Sequence, residues 1–153
     1  MGQSLCHLYV HLTFSTKSRI PFIHDKIKDE LHIYMAGTLK HIQSPALIIN
    51  SMPDHIHLLF RLSKNMALAS VVEQIKKGSS KWMKRRVSSI NGQPFSWQIG
   101  YAAFSVSSSN ISSVQKYIAD QEIHHQTTTY RQEIERFMQE CDVIEYDPVH
   151  FWI

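Results

Sequence analysis

Between Met52 and Phe60 the chain reads Met-Pro-Asp-His-Ile-His-Leu-Leu-Phe, and the alternation in this stretch constrains the fold more than any other feature. Side chains of an extended strand point to opposite faces in turn, so His55 and His57 share one face while Ile56, Leu58 and Phe60 share the other. A Pro53-Asp54 turn signal precedes them. One face must therefore find a core, and the other presents two imidazoles side by side. Such a pair can close on one metal ion through a ring nitrogen each. It is also what an ordinary half-exposed strand with a polar face looks like. Partners elsewhere in the chain decide between these readings.

The segment Cys6–Phe14 alternates in the same way, with Cys6, Leu8, Val10, Leu12 and Phe14 on one side and His7, Tyr9, His11 and Thr13 on the other. Placed beside the histidine strand, it would extend a polar sheet face, where His7 and His11 are further candidates for metal or DNA contact or plain surface positions. Helical spacing follows from Asp25 to about Gln43 through Ile27, Leu31, Tyr34, Met35 and Leu39, and Pro45 ends it. Ala46–Asn50 is a short apolar strand that turns back into the histidine strand as an antiparallel hairpin. A second helix runs from Met66 to about Val87 on Leu68, Val71, Val72, Ile75, Trp82 and Met83, and Tyr101–Val106 is the last strand.

Strand, helix, strand, strand, helix, strand is the order of a ferredoxin-like or RRM-like α+β sandwich: an antiparallel sheet with two helices on one face. Beyond that plan, Ser107–Asn110 caps an added C-terminal helix, about Ile111 to His125, placed to lie along the other sheet face. A further helix, Tyr130–Glu140, carries Ile134, Phe137 and Met138 on one side, and the apolar tail ending in Phe151 and Trp152 should pack onto the domain or a second subunit.

At 153 residues, 43% of them hydrophobic, residues 1–153 suit a single domain. A net charge of +3 permits an anionic partner without demanding one. Basic residues gather at Lys17 and Arg19 and again at Lys81, Lys84 and Arg85, either as phosphate contacts or as a solvated face. Cys6 and Cys141 have no paired-ligand spacing, and neither a basic leader with a hydrophobic plug nor a membrane-spanning run is evident. The expected setting is a reducing cytoplasm with both thiols free and no membrane partner.

Tyr117 and Gln121, four residues apart, share a helical face distinct from the stripe of Ile111, Val114 and Ile118. Taken with His11-Leu12-Thr13-Phe14, Arg19-Ile20-Pro21, the Met52–Leu59 strand, Gly100-Tyr101 and His124-His125, they give the chain a resemblance over most of its length. It resembles the HUH-class single-tyrosine transposases, and among them the REP-associated tyrosine transposases. That resemblance implies a divalent metal, Mg²⁺ or Mn²⁺, held by His55, His57 and Gln121, with Tyr117 as the nucleophile. It further implies single-stranded DNA cleaved near a hairpin, a 5′-phosphotyrosine intermediate with a free 3′-hydroxyl, and a homodimer in which the tyrosine helix serves its own or its partner's site.

The residue types suit that chemistry. Neutral imidazoles and an amide oxygen leave a cation its charge, and energy kept in a phosphotyrosine bond permits rejoining without ATP. His124 or His125 stands close enough to Gln121 to take its place. Two other functions share the sequence pattern: a non-catalytic RRM-like nucleic-acid-binding module using Tyr9 and Tyr101, and a metal-dependent phosphoesterase releasing water-cleaved products.

Overall fold

A computed structural model describes residues 2–153. Its elements are β1 (Tyr9–Ser15), α1 (Asp25–His41), β2 (Ala46–Met52), β3 (His55–Arg61), α2 (Leu68–Lys84), β4 (Ala102–Val106), α3 (Ile111–Ala119), α4 (Gln121–His124), α5 (Tyr130–Glu140) and α6 (Pro148–Phe151). The four strands form one antiparallel sheet in the order β2-β3-β1-β4, as the ferredoxin-like reading requires.

Register sorts the side chains. Thr13 lies opposite His57, Ser15 opposite His55 and Asn50 opposite His57, so the histidine face of β3 continues across β1 and β2. Val10, Leu12, Phe14, Ile56, Leu58 and Phe60 point the other way, where Leu31, Met35 and Leu39 of α1 and Val71, Val72 and Ile75 of α2 complete the main core. Gly78 lets α2 approach α1, because a Cβ there would stand 3.0 Å from the Tyr34 hydroxyl.

Several local expectations shift. β1 begins at Tyr9, because its partner β3 ends at Arg61; Cys6 and Leu8 run past the sheet and are exposed. The helix expected over 111–125 is two, broken at Asp120 (φ −92°, ψ 21°). There the Asn50 amide donates to the carbonyls of Ile118 and Ala119 at 2.8 and 3.3 Å, satisfying groups a continuing helix would have used. Ser107 makes no side-chain cap bond.

The polar sheet face is covered rather than open. Ile118 of α3 packs with Leu59 and Val106, and Tyr130, Ile134 and Met138 of α5 pack with Ala102. The tail docks on the same domain, with Phe151 and Trp152 in the α5 cluster and the Gln98 side-chain amide donating to the Phe151 carbonyl at 2.8 Å. His11, expected at an exposed position, is buried as a result, while His7 lies before β1 and is exposed. No helix among the described residues is long and apolar enough to cross a membrane.

His32 on α1 offers a test of the α1–β2 seam. Its Nε2 lies 2.8 Å from Ser51 Oγ, and burial, aided by the Lys28 charge, lowers its pKa from 6.5 to about 4. The unfolded chain binds this proton below about 6.5 and the folded chain does not, so stability falls as pH drops from there toward 4. His32→Gln should flatten part of that loss in urea unfolding at stepped pH. An acid profile overlaying that of the wild type would contradict this placement.

Candidate active site

Three segments meet over the covered sheet face: β3, the α3–α4 break, and α5. The strand brings His55 and His57, both buried, to one face, as alternation requires. The break turns Gln121 inward until it is fully buried, and the preceding turn of α3 carries Tyr117. α5 starts at a capping box in which Thr129 and Gln132 bond reciprocally, and this sets the position of Glu133 one turn in.

Glu133 is the group on which the others converge. Its Oε1 lies 2.9 Å from His57 Nε2, 3.3 Å from His125 Nε2 and 3.8 Å from His55 Nε2. Its Oε2 accepts a short hydrogen bond from the Tyr117 hydroxyl and a longer one from the Gln121 amide at 3.4 Å. The Gln121 amide oxygen faces His125 Nε2 at 3.0 Å and His55 Nε2 at 3.3 Å. Burial alone would push the Glu133 carboxyl up, but hydrogen bonds from His125 and His57 outweigh it and hold the group ionised well below the usual carboxylate range.

The outer partners orient the rings. Asp54 Oδ1 lies 2.7 Å from His55 Nδ1, and His11 Nε2 lies 2.8 Å from His57 Nδ1, so each histidine turns its Nε2 toward the centre. Burial, and after it the neighbouring His57, lowers the His11 pKa to about 3; burial likewise lowers that of His57. Both rings are neutral at pH 7, the state in which an imidazole nitrogen can bind a metal. Burial acts against charge on His125, yet its bond to Glu133 raises its pKa. Tyr117 moves up, first through burial and then through the Glu133 charge, so its phenol is protonated at rest. The Arg136 guanidinium donates to the phenol oxygen at 3.3 Å and favours the opposite change.

Neutral imidazole nitrogens, an amide oxygen and an ionised carboxylate are donors that fit a divalent cation. His55, His57, His125 and Glu133 each bring a ligand atom within 4.8 Å of the others. Of the two histidines after Gln121, His125 faces the cluster, whereas His124 stacks on the Tyr117 ring at 4.5 Å and leaves its buried Nε2 without a partner.

The basic residues separate. Arg19 lies at the rim with its guanidinium 5.0 Å from the Trp152 ring, lining a cleft of about 520 Å³ with Asp54, His55, His125 and Thr127–Thr129. Lys17 is exposed in the same turn, where Ser18 and Arg19 hold left-handed backbone conformations (φ 55° and 56°). Lys81, Lys84 and Arg85 are exposed at the end of α2, on the far side of the sheet from the histidines. Lys76 is engaged otherwise, bonding the carbonyls of Gln98, Ile99 and Gly100 at 2.6–3.0 Å.

Glu133 and the inward role of His11 escape a sequence reading, yet Glu133 left a signal. Tyr130, Glu133, Ile134 and Phe137 fall at i, i+3, i+4 and i+7, so a carboxylate occupies a position of the apolar stripe.

Tyr130 fastens α5 to the sheet: its ring stacks on His55 at 4.1 Å and its hydroxyl bonds Thr13 Oγ1 at 2.9 Å. Tyr130→Phe should cost about 0.5–1.5 kcal/mol in urea unfolding for the lost hydrogen bond. Tyr130→Ala should cost about 3–5 kcal/mol for the lost ring. A loss below about 1 kcal/mol in the alanine variant would mean that α5 does not dock here.

A family model described as "Transposase IS200 like" matches residues 4–121, stopping short of His125 and Glu133. No curated protein matches the sequence. Among solved structures, a candidate transposase from Deinococcus radiodurans R1 superposes with a TM-score of 0.63 at 22% identity, over 79% of this chain and 96% of that one. A REP-associated tyrosine transposase bound to a REP hairpin superposes at 0.58 and 13% identity, over 82% of this chain and 74% of that one. At these identities the two structures speak for the fold, and the family match carries the assignment. With the sheet, the paired histidines and the tyrosine helix all inside the matched residues, the chain belongs to the IS200-like transposase family.

Proposed function

We propose that the chain cuts and rejoins single-stranded DNA near a hairpin through a 5′-phosphotyrosine on Tyr117, with His55, His57 and Gln121 holding Mg²⁺ or Mn²⁺. The observation that carries this reading is the meeting, inside one chain, of the Tyr117 phenol with the strand histidine His57, ring centroids 6.2 Å apart, both of them bonded to Glu133. A bound divalent cation would supply charge to polarise the scissile phosphate.

Every other step belongs to the chain's own residues. Attack forms a bond between the Tyr117 oxygen and phosphorus and breaks the bond from phosphorus to the 3′-oxygen, which leaves as a hydroxyl. The phenol hydrogen-bonds Glu133, the carboxylate placed to accept its proton as attack proceeds, and solvent carries a proton to the departing oxygen. Arg136 stabilises charge on the phenol oxygen as the proton leaves. Rejoining reverses these steps with a different 3′-hydroxyl. The cleft at Arg19 is the entry for the DNA backbone, and Lys17, Lys81, Lys84 and Arg85 add contacts to the flanking duplex. The hairpin is suggested by the neighbour solved with one. The setting is the cytoplasm, where the exposed Cys6 and Cys141 stay as thiols.

The binding-module alternative needs an open sheet for base stacking, and here α3 and α5 cover the histidine face. A homodimer would then pair two self-sufficient sites rather than share one.

Incubation with a single-stranded hairpin oligonucleotide and Mn²⁺ should yield a detergent-stable protein–DNA adduct, lost in Tyr117→Phe and after chelation. Cleavage persisting in Tyr117→Phe would point to a phosphoesterase, and retention of DNA without cleavage to a binding module. Mixing Tyr117→Phe with His57→Ala protein should not restore the adduct; restoration would mean that the tyrosine serves the partner's site. Neutralising Lys81, Lys84 and Arg85 together should flatten the salt dependence of DNA binding, and an unchanged slope would return them to a solvated face.

A further inference from the structure

The structure assigns the segment beyond the family match to the metal centre: we infer that His125 and Glu133 are metal ligands beside His55 and His57, and that this set favours a first-row transition-metal ion over magnesium. The inference rests on the metal-site reading above and goes beyond it in ligand set and in metal.

Three imidazole nitrogens aimed at one carboxylate oxygen form an arrangement that a cation explains better than a fold does. Donors around one ion with bonds of about 2.0–2.2 Å stand about 3.0–3.4 Å apart. Glu133 Oε1 lies 2.9, 3.3 and 3.8 Å from the Nε2 atoms of His57, His125 and His55. Two of the groups come from β3 and two from the turn after α4 and the start of α5, a part of the chain distant from β3 in sequence, and all four ligand atoms fall within 4.8 Å of one another.

Second atoms of the same groups are held from outside the cluster, so that the inner atoms face one another. Asp54 takes His55 Nδ1, His11 takes His57 Nδ1, and the Thr128 carbonyl lies 2.6 Å from His125 Nδ1. With each ring fixed through Nδ1, each Nε2 faces inward, which is how second partners fix ligating histidines. Glu133 Oε2 is engaged by the Tyr117 hydroxyl, which leaves Oε1 as its inward donor.

Selectivity follows from donor type. Magnesium binds oxygen in near-ideal octahedra and keeps much of its water, whereas imidazole suits later first-row ions. Two histidines and an amide leave room for either; a third imidazole and a buried carboxylate weight the set toward the transition metals. The buried carboxylate also offsets one charge of the ion, which favours loading before any DNA phosphate arrives.

The test is Co²⁺ binding to the full chain without DNA, followed by calorimetry and by the visible absorption bands of the bound ion. Wild-type protein should bind one Co²⁺ per chain, and a hundredfold excess of Mg²⁺ should not displace it. Glu133→Gln, which keeps size and an oxygen, and His125→Ala, in the turn after α4, should each weaken binding about tenfold or more and alter the bands. Circular dichroism checks that both variants are folded. Wild-type affinity and bands in both variants, or displacement by Mg²⁺, would overturn the inference while leaving the two-histidine site standing. If His57→Ala bound Co²⁺ as the wild type does, the metal-site reading itself would fall.

Discussion

A carboxylate buried at 1% relative exposure must be compensated, and in this molecule the compensation of Glu133 organises the site. Its two oxygens take the Tyr117 hydroxyl, the Gln121 amide and the ring nitrogens of His57 and His125. One partner comes from β3 and three from the run α3, α4 and the turn after it, so one side chain of α5 ties that run to the sheet. Were the carboxylate unpaired, the burial would cost several kcal/mol, which is why these segments are placed together or not at all.

The sheet supplies the surface on which this happens. Period-two alternation puts Leu12, Phe14, Ile56, Leu58 and Phe60 into a core with α1 and α2, and the same alternation turns His11, Thr13, His55 and His57 to the other side. A slip of one residue in the β1–β3 register would send the histidines into the apolar core, so the packing that stabilises the fold also fixes where the imidazoles stand. Packing and chemistry are thus two faces of one strand pair. The second layer, α3 to α6, then turns a polar face into a buried polar network, with His11 and Asp54 holding the ring orientations.

The plan of the fold was legible because it rests on local periodicity. The strand order, both core helices and α5, whose observed bounds are Tyr130–Glu140, follow from spacing alone. Of the site, His55, His57, Tyr117 and Gln121 could be named from their spacing and a family resemblance, and they do lie together. The remainder depends on contacts distant in sequence. Nothing near Asp120 announces that Asn50 will take the last carbonyls of α3 and break the helix. His11 reads as a surface residue until Phe137 of α5 closes over it, ring centroids 5.7 Å apart. Glu133 reads as one more charge on an amphipathic helix, unless its place in the apolar stripe is weighed. The basic residues in and just after α2 divide in the same way: Lys76 serves the chain's own carbonyls, Lys77 pairs with Glu73 and Arg86 lies over Trp82, which leaves Lys81, Lys84 and Arg85 to solvent or DNA.

On the proposed function, the Tyr117 oxygen is the atom that takes the DNA phosphate. Tandem mass spectrometry of the nuclease-trimmed, protease-digested reaction mixture tests it most directly, because it locates the covalent nucleotide on a single residue. The expected product is a nucleotide-bearing peptide whose fragments place the added mass on Tyr117. Added mass on any other residue, or cut DNA with no nucleotide-bearing peptide at all, would contradict it.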